Sequence, residues 1–218
     1  MSGPPSRKQA QTASFLVHQR IGMQSLRVNG YDMAYLDVGQ GPPLVSVHGS
    51  LCDFCVWSPV LGPLTTRHRV IAVSLRHFFP EHWDGSGDTY SLAQHVEDMI
   101  VFIDQLTPSP VDLMGHSRGG HIAFRVAQHR QLRDNVFTLL GQVGENRKPF
   151  GEADAQAIRA PTLFIGGSET KGSLPLVLRA LSAKVAGARV AMIEGAGHWM
   201  FEQAPQRYAE IVMEFLTG

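Results

Sequence analysis

Apolar and polar positions along the chain change period several times, and each change marks an element. Val70, Ile71, Val73 and Leu75 form an apolar, β-branched run over Arg69 to Leu75, the content of a buried parallel strand. Leu44 to Val47, Pro161 to Ile165 and Arg189 to Ile193 read as strands too. Helical spacing fills the gaps between such runs. Leu92, Val96, Met99, Ile100, Ile103 and Leu106 fall on one face of a helix that Ser91 caps. Ile122, Ala123, Val126 and Ala127 repeat in the same way in a helix to about Arg130, and Tyr208, Ile211, Val212, Phe215 and Leu216 do so from Pro205 to Leu216. Ser173 opens a helix through Val185, and Val56 to Leu64 is a short helix broken by Pro63.

Nearer the start, Met23 to Val28 and Asp32 to Val38 read as strands around Asn29-Gly30, a pair that favours hairpin turns. A hairpin followed by alternating strands and helices predicts an α/β fold. Its sheet is mostly parallel and doubly wound, begins with an antiparallel hairpin, and binds ligands above the C-terminal strand ends. From Gln131 to Ala160 the pattern weakens: Val136 to Leu140 reads as a strand or a helix fragment, and Gly141 to Asp154 is rich in glycine and charge.

A chain of 218 residues, 44% of them hydrophobic, is long enough for one sizeable core and short for two. A single domain over residues 1–218 is therefore expected, with residues 1–20 flexible and residues 131–160 a linker region. Nineteen basic residues balance nineteen acidic ones, so no net field points to nucleic acid or to an anionic membrane as partner. A small-molecule substrate is the expectation. No apolar run reaches the roughly 18 residues of a membrane-spanning helix, and Met1 to Ala13 lacks the apolar core of a signal peptide. The expected location is cytoplasmic.

The candidate chemistry centres on Leu113-Met114-Gly115-His116-Ser117-Arg118-Gly119-Gly120. A serine between two glycines, where an apolar strand gives way to a helix, has the form of a nucleophile elbow: the turn is too tight for side chains at Gly115 and Gly119 and lifts the Ser117 hydroxyl out of the sheet. The helix beginning near Arg118 aims its unpaired N–H groups at the same point. A serine hydroxyl needs an imidazole to take its proton, and the imidazole needs a carboxylate to hold its tautomer. His198, in the loop Gly195-Ala196-Gly197-His198-Trp199 after the last strand, is the candidate base. His48 reads as a loop anchor. Cys52 and Cys55 form a C-x-x-C whose redox reading competes with that of two packed thiols near a helix start. His77, His82 and the aromatics between Arg76 and Asp88 lack a metal-ligand spacing and read as a hydrophobic wall at the rim of a site. No metal and no cofactor is expected.

H-G-S at 48–50, G-H-S-R-G at 115–119 and G-A-G-H-W at 195–199 together resemble the α/β-hydrolase superfamily, in its serine-nucleophile type. The resemblance implies an eight-stranded core, the chain order nucleophile, acid, histidine, and hydrolysis of esters, amides or related bonds without a cofactor. In such a hydrolase the backbone N–H groups of Ser50 and Arg118 form the oxyanion hole. The family's acid follows the seventh strand. Counted from Gly166 it falls on Glu169, the candidate taken here; counted from Gly167 it falls on Thr170. An acid between Asp134 and Asp154, near Glu145, or no competent acid, are the alternatives. The cap is expected to be reduced or absent, because Arg133 to Arg159 reads as the tail of a cap helix plus its return linker. The sheet would then have a gap or a repaired edge at Val136 to Leu140, and uncovered apolar surface would leave a homo-oligomer open. The favoured activity is a carboxylesterase-like hydrolysis of a small carboxylic ester through a Ser117-His198-Glu169 triad and an acyl-enzyme. A non-catalytic scaffold and a C–C bond hydrolase stand as alternatives.

Overall fold

In a computed structural model that describes residues 22–81, 83–86, 90–107, 110–129, 136–138 and 151–218, the first strands form the hairpin their turn residues dictate. Asn29 and Gly30 hold φ of 46° and 75°, the positive pair that a type I′ turn requires. They join β1 (Gln24–Val28) to β2 (Tyr31–Val38), with Val28 opposite Tyr31. β2 also pairs antiparallel with β4 (Arg69–Val73), and from there every pairing is parallel. β3 (Pro43–Val47) lies between β4 and β5 (Asp112–Gly115), and β6 (Val136–Thr138), β7 (Thr162–Gly167) and β8 (Arg189–Ile193) follow outward. The order is β1-β2-β4-β3-β5-β6-β7-β8. β4 is shorter than the run Arg69 to Leu75 predicts, because the Leu75 N–H leaves the ladder and donates to His48 Nε2 at 3.0 Å.

Side chains of the central strands alternate between two faces, as the pleat requires. Leu44, Val70, Ala72 and Met114 join one cluster with Trp57 and Leu64 from the segment leading into and through α1 (Ser58–Leu64), and with Tyr208 and Val212 of α7 (Pro205–Thr217). Val45, Val47, Ile71, Val73 and Leu113 join the other, with Val96, Met99 and Phe102 of α2 (Leu92–Leu106) and Ile122 of α3 (Arg118–His129). A third cluster holds Phe124, Phe164, Leu178 and Leu181. It packs α3, α4 (Glu152–Gln156) and α5 (Leu174–Ser182) against β7. α6 (Met200–Gln203) precedes α7. The Ser91 cap is in place, its Oγ accepting from the Gln94 N–H at 3.0 Å. Pro63 does not end its helix at once: α1 runs to Leu64, and the Thr65 N–H closes it on Leu61 O at 2.9 Å. Among the described residues no helix is long and apolar enough to cross a membrane.

Of the two expectations, a gap or a strand supplied from Val136 to Leu140, the structure has the second, in Val136–Thr138. β6 pairs in parallel with both β5 and β7, Val136 standing between Leu113 and Thr162, so the sheet is continuous at Val136–Thr138, while Leu139 and Leu140 lie outside the described residues. Three residues suffice because an interior strand is bonded on both sides, and a run so short shows no period to read. Between Thr138 and Thr162 the described residues contain only the short α4, and residues 139–150 of the expected cap remnant lie outside the described residues. Residues 1–20, Asp134 and Glu145 lie outside the described residues.

One buried ion pair ties the hairpin to the helical layer. Asp98 of α2, with no exposed surface, accepts from Arg76 Nε and Nη2 at 2.8 and 2.9 Å, from Asn29 Nδ2 at 2.9 Å and from Gln94 Nε2 at 3.0 Å. The Arg76 guanidinium also lies over the Tyr31 ring, 4.7 Å from its centroid. Removing one partner of such a pair strands the other's charge. Asp98→Ala is expected to cost about 3–5 kcal/mol of stability, read from the urea midpoint at constant slope; an unchanged midpoint would contradict the assignment.

Candidate active site

The elbow is built where β5 runs into α3. Ser117 holds φ of 54° and is almost wholly buried. This left-handed backbone is costly for a residue with a Cβ, and it persists only where the surroundings enforce it. They do so through the glycines. A Cβ at Gly115 would come within 2.5 Å of Gly119 O, and one at Gly119 would run into the carbonyl oxygens of Val47 and His48. Two hydrogen bonds fix the turn: the His116 N–H donates to Val47 O at 3.0 Å and the Gly119 N–H to His116 O at 2.8 Å. Ser117 therefore sits at the positive end of α3.

The 48–50 loop lies directly on this turn. A Cβ at Gly49 would be 2.9 Å from His116 Nδ1 and 3.0 Å from Ser117 Cβ, so Gly49 carries the loop ending in Ser50 onto the elbow. His48 anchors that loop from beneath, as the sequence suggests. Its Nε2 accepts from the Leu75 N–H, which leaves Nδ1–H to donate to Gly49 O at 2.6 Å. Burial pushes its pKa down to about 4, so the ring is neutral at neutral pH. Cys52 and Cys55 are not joined in a disulfide. Cys52 Sγ donates to Ser50 O at 3.2 Å, and the Cys55 N–H donates to Asp53 Oδ1 at 2.7 Å, at the start of a single 3₁₀ turn, Phe54–Trp57.

The third motif closes over the first two. His116 Nε2 donates to His198 O at 3.1 Å, and the two rings lie 4.5 Å apart between centroids. Burial first, then the neighbouring His198, pushes the His116 pKa down to about 3. The His198 loop is also stitched to the end of β7. A Cβ at Gly167 would collide with the carbonyls of Ala196 and Gly197, and the Glu169 N–H donates to Ala196 O at 2.9 Å. Partial burial lowers the His198 pKa below the ordinary imidazole value, which leaves a neutral ring able to accept a proton at neutral pH.

Beyond β7 the two positions on which the count falls have different surroundings. The Glu169 side chain is exposed. Thr170 instead lines, with His198, a cavity of about 250 Å³ walled by Leu174, Leu178, Met192 and Met200. Among the described residues no carboxylate lines it. In the segment expected to form an aromatic wall, Phe78 packs edge-on against His48 at 4.7 Å, and His77 stacks on Trp83 at 4.4 Å. His82 lies outside the described residues. No group of three metal-ligating side chains gathers among the described residues. A contact the sequence did not suggest is that of the buried Arg118 guanidinium, 4.4 Å from the centroid of the Tyr90 ring. Its only signal is an aromatic residue just before the Ser91 cap.

The steric account of the elbow has a direct test. Gly119→Ala places a methyl group into the Val47 and His48 carbonyls and is expected to destabilise the fold by about 1–3 kcal/mol, with relaxation of the Ser117 turn. Ala in place of Gly119 at parental stability and with an unchanged Ser117 conformation would refute it.

Residues 44–140 match the model of the alpha/beta hydrolase family. A soluble epoxide hydrolase of Corynebacterium sp. (strain C12) is 32% identical over 114 residues, 51% of this chain and 39% of that protein. A 2-hydroxy-6-oxo-2,4-heptadienoate hydrolase of Pseudomonas putida is 32% identical over 132 residues, 59% of this chain and 47% of that protein. The chain thus spans less than half the length of these curated relatives. Among solved structures, a meta-cleavage product hydrolase from Pseudomonas fluorescens IP01 superposes with a TM-score of 0.79 at 18% identity, over 91% of this chain and 98% of that one. The carboxylesterase CesB from Bacillus subtilis does so with 0.78 at 17% identity, over 96% of each chain. Strand order, elbow and superposition agree: the chain has the α/β-hydrolase fold, and its residues 44–140 match the model of that family.

Proposed function

We propose that the chain is a serine hydrolase acting on a small carboxylic ester. The observation that carries this reading is the left-handed Ser117 at the head of α3, with the His198 loop hydrogen-bonded to the residue beside it. In the proposed reaction His198 takes the Ser117 proton as Oγ attacks the acyl carbon. The N–H groups of Ser50 and Arg118 hold the oxyanion of the tetrahedral intermediate, aided by the positive end of α3. Collapse breaks the C–O bond, and His198 returns the proton to the departing alkoxide. Water, deprotonated by the same histidine, then attacks the acyl-enzyme and releases the acid. No step calls for a cofactor. The chemistry needs a neutral His198, and the partial burial that lowers its pKa favours that form.

Cleavage of a C–C bond is the second reading. The heptadienoate hydrolase and the meta-cleavage product hydrolase among the relatives favour it. It uses the same serine on a ketone carbon instead of an ester carbonyl. Hydrolysis of an epoxide through an ester on an enzyme carboxylate does not suit a serine at 117.

The test is turnover of p-nitrophenyl acetate and butyrate by the parent, Ser117→Ala and His198→Ala proteins, with circular dichroism to establish folding. Each variant is expected to lose on the order of 10³-fold or more in kcat/KM. Undiminished ester cleavage by folded Ser117→Ala would end the proposal. A parent inert to esters but active on a 2-hydroxy-6-oxo-dienoate, again dependent on Ser117, would favour the second reading. A folded parent inert to both would favour a non-catalytic scaffold.

A further inference from the structure

We propose that Thr170 occupies the seat after β7 from which a carboxylate would hold the His198 imidazole, so that this histidine works against a hydroxyl and not against Glu169. The inference rests on the reading of Ser117 and His198 as a catalytic pair. Its first support is the turn that ends β7. Gly167 is the residue pressed against the Ala196 and Gly197 carbonyls, and the Thr170 N–H donates to Gly167 O at 3.1 Å, closing a tight turn over Ser168 and Glu169. The turn spends the Glu169 N–H on Ala196 O and leaves the Glu169 side chain exposed. Thr170, at the end of the turn, comes back over the sheet.

The second support is the cavity. Thr170 and His198 line the same space, and Thr170 Oγ1 is buried within it without a hydrogen-bond partner among the described residues. A buried hydroxyl left unsatisfied is uncommon and calls for a partner outside the protein's own fixed contacts, a water or a reoriented side chain. Among the described residues three charged or titratable groups stand near His198. His116 faces it from the elbow, Arg179 of α5 stands on the cavity rim, and Glu194 after β8 is engaged by Ser168 Oγ at 3.1 Å. Burial is what moves the His198 pKa, and it moves it down; a carboxylate in the seat would pull it up.

The Thr170 hydroxyl makes no bond to His198 in the resting structure; once the ring turns toward this seat the hydroxyl accepts the imidazole N–H and fixes the tautomer, but it adds no negative charge to stabilise the imidazolium that forms as Ser117 attacks. Thr170 is thus a positioning residue, and the pair it serves is a slow one. Supplying the charge should accelerate it.

The experiment is an NMR titration of the His198 ring in ¹⁵N-histidine-labelled parent, Thr170→Asp and Glu169→Gln proteins, with His198→Gln to assign the signal and ester turnover measured alongside. Thr170→Asp is expected to raise the His198 pKa by about one unit or more and to raise kcat/KM about tenfold or more. Its acidic limb should move to higher pH. Glu169→Gln is expected to leave both unchanged. A His198 pKa that falls in Glu169→Gln, or in Glu145→Gln or Asp134→Asn, would overturn the proposal by finding the acid elsewhere, and so would a folded Thr170→Asp whose His198 does not shift. Should Thr170→Asp fail to fold, the titrations of the other variants decide, a constant pKa upholding the seat and a lowered one refuting it. Because the titration needs no turnover, a shifted pKa without ester cleavage in any variant would leave the seat at Thr170 and remove the ester reading alone.

Discussion

Steric crowding around the Ser117 backbone is the constraint on which the rest of the site depends. Ser117 is held in a left-handed conformation by a turn that leaves no volume for a Cβ at Gly115 or Gly119. The atoms that crowd Gly119 are carbonyls of Val47 and His48, at the end of the neighbouring parallel strand. The elbow is therefore a property of two strands and the helix between them and solvent, not of a five-residue motif alone. The same packing sets Gly49 against Ser117, so the geometry that strains the serine also brings in the loop that ends in Ser50. Strain of this sort is compensated by the well-packed layers on both faces of the sheet.

Around the serine, burial keeps the histidines neutral. His48 and His116 each have one nitrogen committed to a backbone carbonyl and both have strongly lowered pKa values. They serve as uncharged struts: His48 joins the 48–50 loop to the end of β4, and His116 joins the elbow to the His198 loop. A charged group in either place would meet a large desolvation cost. His198 is the less buried member of the set.

Much of this was legible in the sequence because it depends on periodicity and on glycine. The hairpin turn at Asn29-Gly30, the Ser91 cap, the parallel strands and the final helix are local patterns, and the structure places each within a few residues of its expected bounds. β6 was not legible as an interior strand, because three residues carry no period and its position comes from pairing on both sides. The sequence also left Glu169 and Thr170 one residue apart, with only the distance from Pro161 to favour the count from Gly167 that lands on Thr170. The choice depends on which of Gly166 and Gly167 meets the His198 loop, a contact between segments remote in sequence. The stacking of Arg118 on Tyr90 has the same character: two residues far apart in the chain meet only once α2 and α3 have packed.

The most direct measurement of the central claim, that this fold holds an activated serine at 117, is labelling of the folded protein with a fluorophosphonate probe followed by peptide mapping. The account predicts a single adduct on Ser117 that is lost in His198→Ala. A folded protein that stays unlabelled, beside a serine hydrolase that labels under the same conditions, or an adduct on another residue, would contradict it.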